Sequence, residues 1–187
     1  LSMGSAWLGG MLFFFYVGSE VLVGTWTFSL LTEARGVPEA TAGLITGSYW
    51  FTFTIGRILG GLVAHRLSLQ KLVGGCIIVA LLGALLLLWD PFAYASVLAV
   101  ALIGFAVAPI YPGLMSGTAQ RVGLAHTENV VGIQTAFGQL GGVGIVSLVG
   151  VMARRWGLEV VPIVLCVTLT SLLILYRMAL SGSRAGS

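Results

Sequence analysis

Glu20 lies in the middle of a long apolar stretch, residues 7–31. An ionisable group at the centre of a bilayer costs at least about 2.5–3.5 kcal/mol unless it is solvated, paired or protonated. Either this carboxyl faces a central cavity, where it hydrogen-bonds a solute or couples a cation, or it is a protonated group that fixes helix packing. Tyr16 and Thr27 fall one and two turns away on nearly the same helical face, a stripe of hydroxyls suited to a polyol. Tyr49 and Trp50 sit mid-span in the next apolar stretch, where aromatic rings can stack on a sugar face while polar tips bond its hydroxyls. For Trp50 plain packing is an equal reading. Tyr111 stands between Pro109 and Pro112, which remove backbone donors, kink the helix and leave carbonyls either for substrate and water or for a static bend. Gln134 and Gln139 are amides within a span and need partners, but lie about 140° apart around a helix, so they serve different neighbours. Gln134 is preferred for the cavity. Arg57, expected to be buried two turns from a helix end, either snorkels to the near surface or forms a gate pair, with Glu128 as its partner.

These residues need a membrane scaffold. Hydrophobic residues make up 58% of the chain and charged residues 8%, and the mean hydropathy is +1.05; a globular domain is about 25% charged. Stretches of about 20 apolar residues, the length that crosses a hydrocarbon core, fill most of the sequence. Six are read, at 7–31, 40–64, 70–88, 92–119, 129–153 and 159–177, with most charges between them. The fold class is therefore an all-α membrane protein of six transmembrane helices.

The stretch 39–69 recurs 89 residues later. Glu39, Gly43, Thr46, Leu59, Gly61, Ala64, Arg66 and Leu69 return as Glu128, Gly132, Thr135, Leu148, Gly150, Ala153, Arg155 and Leu158. The same step carries the first three spans onto the second three. Three crossings end on the side opposite their start, so the second unit is inverted: a 3+3 inverted repeat. The units are 1–88 and 89–178, with 179–187 expected as a disordered tail rich in Ser and Gly. Loop charge places both termini in the cytoplasm, with Arg66, Lys71, Arg121, Arg177 and Arg184 inside, against Arg35, Arg154 and Arg155 outside. A multi-pass protein of the plasma (inner) membrane is expected, with the lipid bilayer as its first partner.

Several chemistries are excluded. There is no phosphate-binding Gly-Lys-Ser or Gly-Lys-Thr loop. The net charge of +3 is spread over loops on both faces and implies no nucleic-acid partner. His65 and His126 lie in loops without a neighbouring nucleophile, so hydrolysis is not indicated and no enzyme is expected. Cys76 and Cys166 fall inside spans, and no His/Cys ligand cluster suggests a metal or cofactor. The first apolar span is too long for a signal peptide. The opening at Leu1, without Met or a hydrophilic lead, suggests that sequence upstream is missing.

The segment Gly56-Arg57-Ile58-Leu59-Gly60-Gly61-Leu62-Val63-Ala64-His65-Arg66-Leu67-Ser68-Leu69-Gln70-Lys71 is a Gly-lined helix end turning into a short basic loop. It resembles the helix 2–3 and 8–9 signature of the major facilitator superfamily, a Gly followed four residues on by Asp-Arg and further basic residues. His65 stands in place of the Asp. Phe14-Phe15-Tyr16-Val17-Gly18-Ser19-Glu20 with Gly24-Thr25-Trp26 resembles helix 7 of the branch that holds the fucose permease and sodium-dependent glucose transporter-like proteins. Residues 108–113 resemble its helix 10, and 134–150 its helix 11. The resemblance implies the carboxy-terminal six-helix half of a secondary active transporter, moving a sugar or polyol by alternating access. It also implies a proton or sodium ion as coupling partner and a second half, either an amino-terminal six-helix half or another copy. Gating is expected of Arg57, Gly61, His65, Arg66 and Lys71, with Gly61 in close backbone contact. The rival readings are an efflux carrier for apolar or cationic compounds, and a non-transporting membrane scaffold subunit.

Overall fold

The structure, a computed structural model, describes residues 3–64, 66–92, 94–122 and 124–184; the side chains of 3–6, 119–122, 124–128 and 182–184 fall outside that description. Helix α1 (Met3–Ser29) passes into one π-helical turn, Leu30–Ala34. Gly36 stops it with φ of +64°, a left-handed conformation that a Cβ would strain. Pro38, unable to donate a backbone hydrogen bond, precedes α2 (Glu39–Val63). Helix α3 (Leu69–Trp89) ends at Asp90, itself left-handed at φ +42°, which Asp tolerates better than most residues. The fourth span divides into α4 (Ala95–Val107) and α5 (Ile110–Val122). Pro109 causes the break, because it cannot donate to the carbonyl of Phe105 one turn back. Helix α6 (Leu124–Trp156) ends at Gly157, with φ +82°, and α7 (Val160–Arg184) follows.

Five of the six spans are long and apolar enough to cross a membrane: Trp7–Ala34, Leu69–Trp89, Ala95–Thr118, Asn129–Trp156 and Val160–Ser181. The other, α2, has 25 residues, about 37 Å at 1.5 Å per residue. Its length suffices, but Thr, Ser, Gly and Arg57 dilute its apolar character. The expected tail is shorter than 179–187, because α7 continues through Arg184. Ala179 still packs into the core, and the Ser181 hydroxyl donates to the Met178 carbonyl at 2.9 Å. Once a helix is under way, each added residue gains a backbone bond, so Ser and Gly can extend it.

Packing follows the repeat. Helix α1 lies along α6 and α7, α4 lies along α2 and α3, and α3 touches α7. A step of 89 residues carries α1 to α4–α5, α2 to α6 and α3 to α7. It thus turns the α1–α6 pair into α4–α2 and the α1–α7 pair into α4–α3. Even the closest crossings correspond. A Cβ on Gly141 would run into the Phe14 carbonyl, and one on Gly104 would meet Thr52 Oγ1 at 2.6 Å; Thr52 is 89 residues before Gly141, and Gly104 is 89 after Phe15. Arg35, Asp90 and Glu159, from the α1–α2, α3–α4 and α6–α7 connections, meet at one end of the bundle. Helices α1, α3 and α6 therefore run toward that end while α2, α4 and α7 run away from it. Each helix opposes its repeat counterpart, the inversion that three crossings per unit require.

Candidate functional site

Helices α1 and α2 meet at the level of Glu20. The Tyr49 hydroxyl, on a fully buried side chain, donates to the Glu20 backbone carbonyl at 3.2 Å. Glycine permits this approach, since a Cβ on Gly24 would stand 3.0 Å from the Trp50 ring, which lies across it and remains 49% exposed. Tyr16, one turn before Glu20 and only 1% exposed, places its hydroxyl beside the Glu20 carboxyl, yet that hydroxyl has no hydrogen-bond partner at good geometry. Tyr111 of α5 packs on this group, its ring 5.8 Å from Tyr16 and 5.2 Å from Phe13. On α2 the rings of Tyr49, Trp50 and Phe53 form one cluster, with centroids 5.0 to 6.0 Å apart. The Arg57 guanidinium lies over Phe53 at 4.8 Å from the ring centre, a favourable cation–π distance.

Among the expected residues, Tyr16, Glu20, Tyr49, Trp50 and Tyr111 therefore come together, with Arg57 beside them. Thr27 does not. It is buried, and its hydroxyl donates to the Val23 carbonyl of its own helix at 2.6 Å; seven residues leave it within about 20° of the Glu20 face, but that bond engages the hydroxyl within α1. Gln134 is buried, but farther along α1. Its amide donates to Thr118 Oγ1 at 2.9 Å and lies against Gly9. Gln139 is exposed, whereas the α6 surface facing α1 is Gly138, Gly141 and Ile145. The two amides thus lie on different faces of α6, one buried and one exposed.

The gating group also resolves differently from expectation. Gly61 has open space around it, so the close approach lies elsewhere. A Cβ on Gly60 would stand 2.7 Å from Pro109, and one on Gly56 would overlap the Phe105 carbonyl. That carbonyl is the one Pro109 deprives of its helical donor, so the α4–α5 break and the Gly56–Gly60 hollow of α2 fit each other. Arg57 is exposed in this half rather than buried. It borders a cavity of about 290 Å³ between α2, α3 and α5, whose walls include Gly60, Gly61, Pro109, Tyr111 and Ser116. Arg66 and Lys71 are exposed. His65 and the Glu128 side chain lie outside the described residues.

One cluster was not foreseen from sequence. Arg35 reaches Glu159 with two parallel bonds of 2.8 Å, Asp90 at 3.3 Å, the Ser96 hydroxyl at 3.0 Å and the Leu87 carbonyl at 2.8 Å. The hydrogen bonds that Arg35 donates to Glu159 raise the guanidinium above its ordinary value, so it stays charged. The signal available was charge placement: sequence puts all three ionic partners on connections at one face, but spacing does not pair them. Ser19, next to Glu20, was likewise unassigned, and its hydroxyl lies 2.8 Å from Thr168 Oγ1 on α7.

Comparison with known proteins agrees with the fold. The chain is 28% identical over 186 residues to human "Sodium-dependent glucose transporter 1", covering 91% of this chain and 34% of that protein. It is 26% identical over 151 residues to the mouse "Sodium-dependent glucose transporter 1A" (78% and 34% covered), and 26% identical over 163 residues to "Bypass of stop codon protein 6" of Saccharomyces cerevisiae (80% and 32% covered). The chain thus spans about a third of the length of these relatives. The profile of the Major Facilitator Superfamily, a family of membrane carriers and not of enzymes, matches residues 8–186, nearly the whole chain. This protein belongs to the Major Facilitator Superfamily.

Proposed function

We propose that this chain forms the carboxy-terminal half of a secondary active transporter that moves a small polar solute, a sugar or polyol, by alternating access. The observation that carries the reading is the α1–α2–α5 junction: a mid-membrane carboxyl, Glu20, beside the unpartnered Tyr16 hydroxyl, with the half-exposed Trp50 ring next to them. Hydroxyl and carboxyl groups bond a polyol's oxygens, and an indole face covers its C–H face. The glucose transporter names of two relatives support this chemistry, and their sodium dependence supports a cation as coupling partner. The units 1–88 and 89–178 act as one rocking half against a second half, with the basic Arg66–Lys71 end and both termini in the cytoplasm.

A second reading, export of apolar or cationic compounds, draws on the Tyr49–Trp50–Phe53 cluster, whose π faces suit cations. The deciding experiment reconstitutes the full-length protein in proteoliposomes under an imposed sodium or proton gradient. Accumulation of radiolabelled D-glucose or L-fucose is the expected result. Movement of tetraphenylphosphonium without any sugar transfers the assignment to efflux. Transport of neither, with no sugar binding, overturns the transporter reading in favour of a scaffold.

A further inference from the structure

We propose that Gly24 is a positioning residue for sugar recognition: it seats the edge of the Trp50 indole, and the indole so held selects a pyranose ring over an open-chain polyol. This inference rests on the transporter reading above and names the substrate class within it.

Among the described residues, two indoles stand on glycines of a neighbouring helix. A Cβ on Gly150 of α6 would lie 3.2 Å from Cζ2 of Trp26 on α1, and one on Gly24 of α1 would lie 3.0 Å from Cζ2 of Trp50 on α2. The likeness ends at the indole nitrogen. Trp26 donates its N–H to the Val146 carbonyl at 3.3 Å, one turn before Gly150, so its edge and its nitrogen are both tied to α6. Trp50 Nε1 has no acceptor among the described residues, and Trp50 is 49% exposed. An indole has one donor and no acceptor. Trp26 has used that donor within the fold, whereas Trp50 keeps it for a ligand.

The contact at Gly24 is made by an edge. Cε2 and Cη2 each lie 3.8 Å from the Cβ position, well beyond Cζ2 at 3.0 Å; a face laid on that position would hold all three atoms at nearly equal distance. The ring plane therefore points from α2 at α1. On α2 itself the rings of Tyr49 and Phe53 stand at 79° and 64° to the indole, with centroids at 5.0 and 5.8 Å. Tyr49 is anchored in turn by its bond to the Glu20 carbonyl at 3.2 Å. The indole is thus set by two rings of its own helix and one glycine across the helix pair. Gly24 follows Glu20 on the same face of α1, about 6 Å along the axis. A pyranose can lay its C–H face on the indole while its rim hydroxyls bond Nε1 and the polar groups at Glu20. An open-chain polyol has no rigid C–H face and loses the stack.

A methyl group at Gly24 requires the ring edge to yield by a few tenths of an ångström. Trp50 is half open and has no hydrogen bond to hold it, so the ring turns and the helices stay together. At Gly150 the Trp26 ring cannot yield without straining its bond to Val146.

The test uses purified full-length protein in proteoliposomes. Uptake and equilibrium binding of D-glucose and L-fucose are each compared with the corresponding open-chain alditol, and the unfolding midpoint is measured alongside. The wild type should bind the pyranose about three- to tenfold more tightly than its alditol, the worth of one aromatic stack. Gly24→Ala should raise KM and Kd for the pyranose at least about threefold with the maximal rate and the midpoint little changed, the pattern of lost uniform binding. Trp50→Ala should erase the preference, and adding Gly24→Ala to it should change nothing further, because the glycine acts only through the ring. Gly150→Ala is the control, with a lowered midpoint and unchanged affinity. Unchanged pyranose affinity in Gly24→Ala, or a loss that persists in full in the Trp50→Ala background, overturns the proposal. If Gly24→Ala does not fold, Trp50→Phe decides: its smaller ring leaves the Gly24 seat and lacks Nε1, and wild-type affinity in that variant overturns the proposal. Equal binding of pyranose and alditol defeats this inference and leaves the transporter reading standing. Binding of neither defeats that reading and this inference with it.

Discussion

Replacing Arg35 with Met should destabilise the protein far more than removing any of its acidic partners. The side chain is 10% exposed, but Asp90 is 34% exposed and Glu159 is 51% exposed. Ion pairs with partners that open to solvent contribute about 0.2–1 kcal/mol each, so the two acids together supply at most about 2 kcal/mol. The Leu87 carbonyl belongs to the last turn of α3, where helix geometry provides no donor, and Arg35 is its partner at 2.8 Å. Leaving such a carbonyl unsatisfied costs about 1–3 kcal/mol. Ser96 loses little, because its hydroxyl keeps Asp90 Oδ1 at 3.0 Å. Arg35→Met should therefore cost about 2–4 kcal/mol, a fall of roughly 5–15 °C in thermal midpoint for a unit of this size. Glu159→Gln should cost at most about 1 kcal/mol, and Arg35→Lys, which keeps charge without the planar fork, should fall between them. High salt should erase the Glu159 effect while sparing most of the Arg35 effect. The assay is thermal unfolding of the purified full-length protein. A midpoint for Arg35→Met within measurement error of the wild type, or equal losses for Arg35→Met and Glu159→Gln, would refute the reasoning.

The glycine contacts make a paired test. Gly56→Ala and Gly141→Ala push a Cβ into the Phe105 and Phe14 carbonyls, so each should cost about 1–3 kcal/mol, whereas Gly144→Ala meets open space and should be neutral or stabilising by up to about 1 kcal/mol; similar unfolding midpoints for all three would contradict the packing. Gly61→Leu also enters open space, so it should preserve folding, and impaired uptake with retained binding is the expected result if the basic loop gates transport; unaffected uptake removes that role. Ser19→Ala, which strips the bond to Thr168, should lower stability by about 0.5–1.5 kcal/mol in an unfolding assay, and no loss would show that the α1–α7 contact rests on packing alone. Glu20→Gln separates coupling from contact: lost accumulation with intact sugar binding indicates coupling, weakened binding indicates direct contact, and normal values of both leave packing.

How legible the fold was depends on which signal a feature leaves in sequence. Span positions follow from apolar runs of bilayer length, and the inverted arrangement follows from a repeat containing an odd number of crossings. Helix α2 shows the limit of apolar composition. With Arg57, five glycines and several hydroxyls it falls short as an apolar span, yet it is continuous over Glu39–Val63. The repeat supports the span read at 40–64, because its counterpart is the long helix α6. The Pro109 break was legible because a missing N–H acts locally. The extension of α7 to Arg184 was not, since it depends on packing of Ala179 by other helices.

The site was legible along single helices and illegible between them. Glu20 stands out because a carboxyl inside an apolar run needs compensation, and Tyr16 follows one turn away. That same periodicity overreached at Thr27, which stays within about 20° of Glu20 but is buried with its hydroxyl bonded to the Val23 carbonyl of its own helix. Between helices the controlling quantity is how closely two backbones approach, which depends on glycines with no pattern of their own. Gly61 matches its repeat counterpart Gly150, yet Gly150 lies against Trp26 while Gly61 faces open space. Duplication preserves the residue, but the neighbour at each copy decides what it touches. The same asymmetry governs charge. Arg35 meets two carboxylates on other connections and a carbonyl of α3, whereas Arg57 meets a ring of its own helix and a cavity. An arginine with most of its donors engaged is immobilised, and one held by a π face retains its donors for another partner. The partners of Arg35 come from separate connections that spacing does not pair, whereas Phe53 stands one turn before Arg57 on the same helix, so only the second contact could be read from the position of the arginine in the chain.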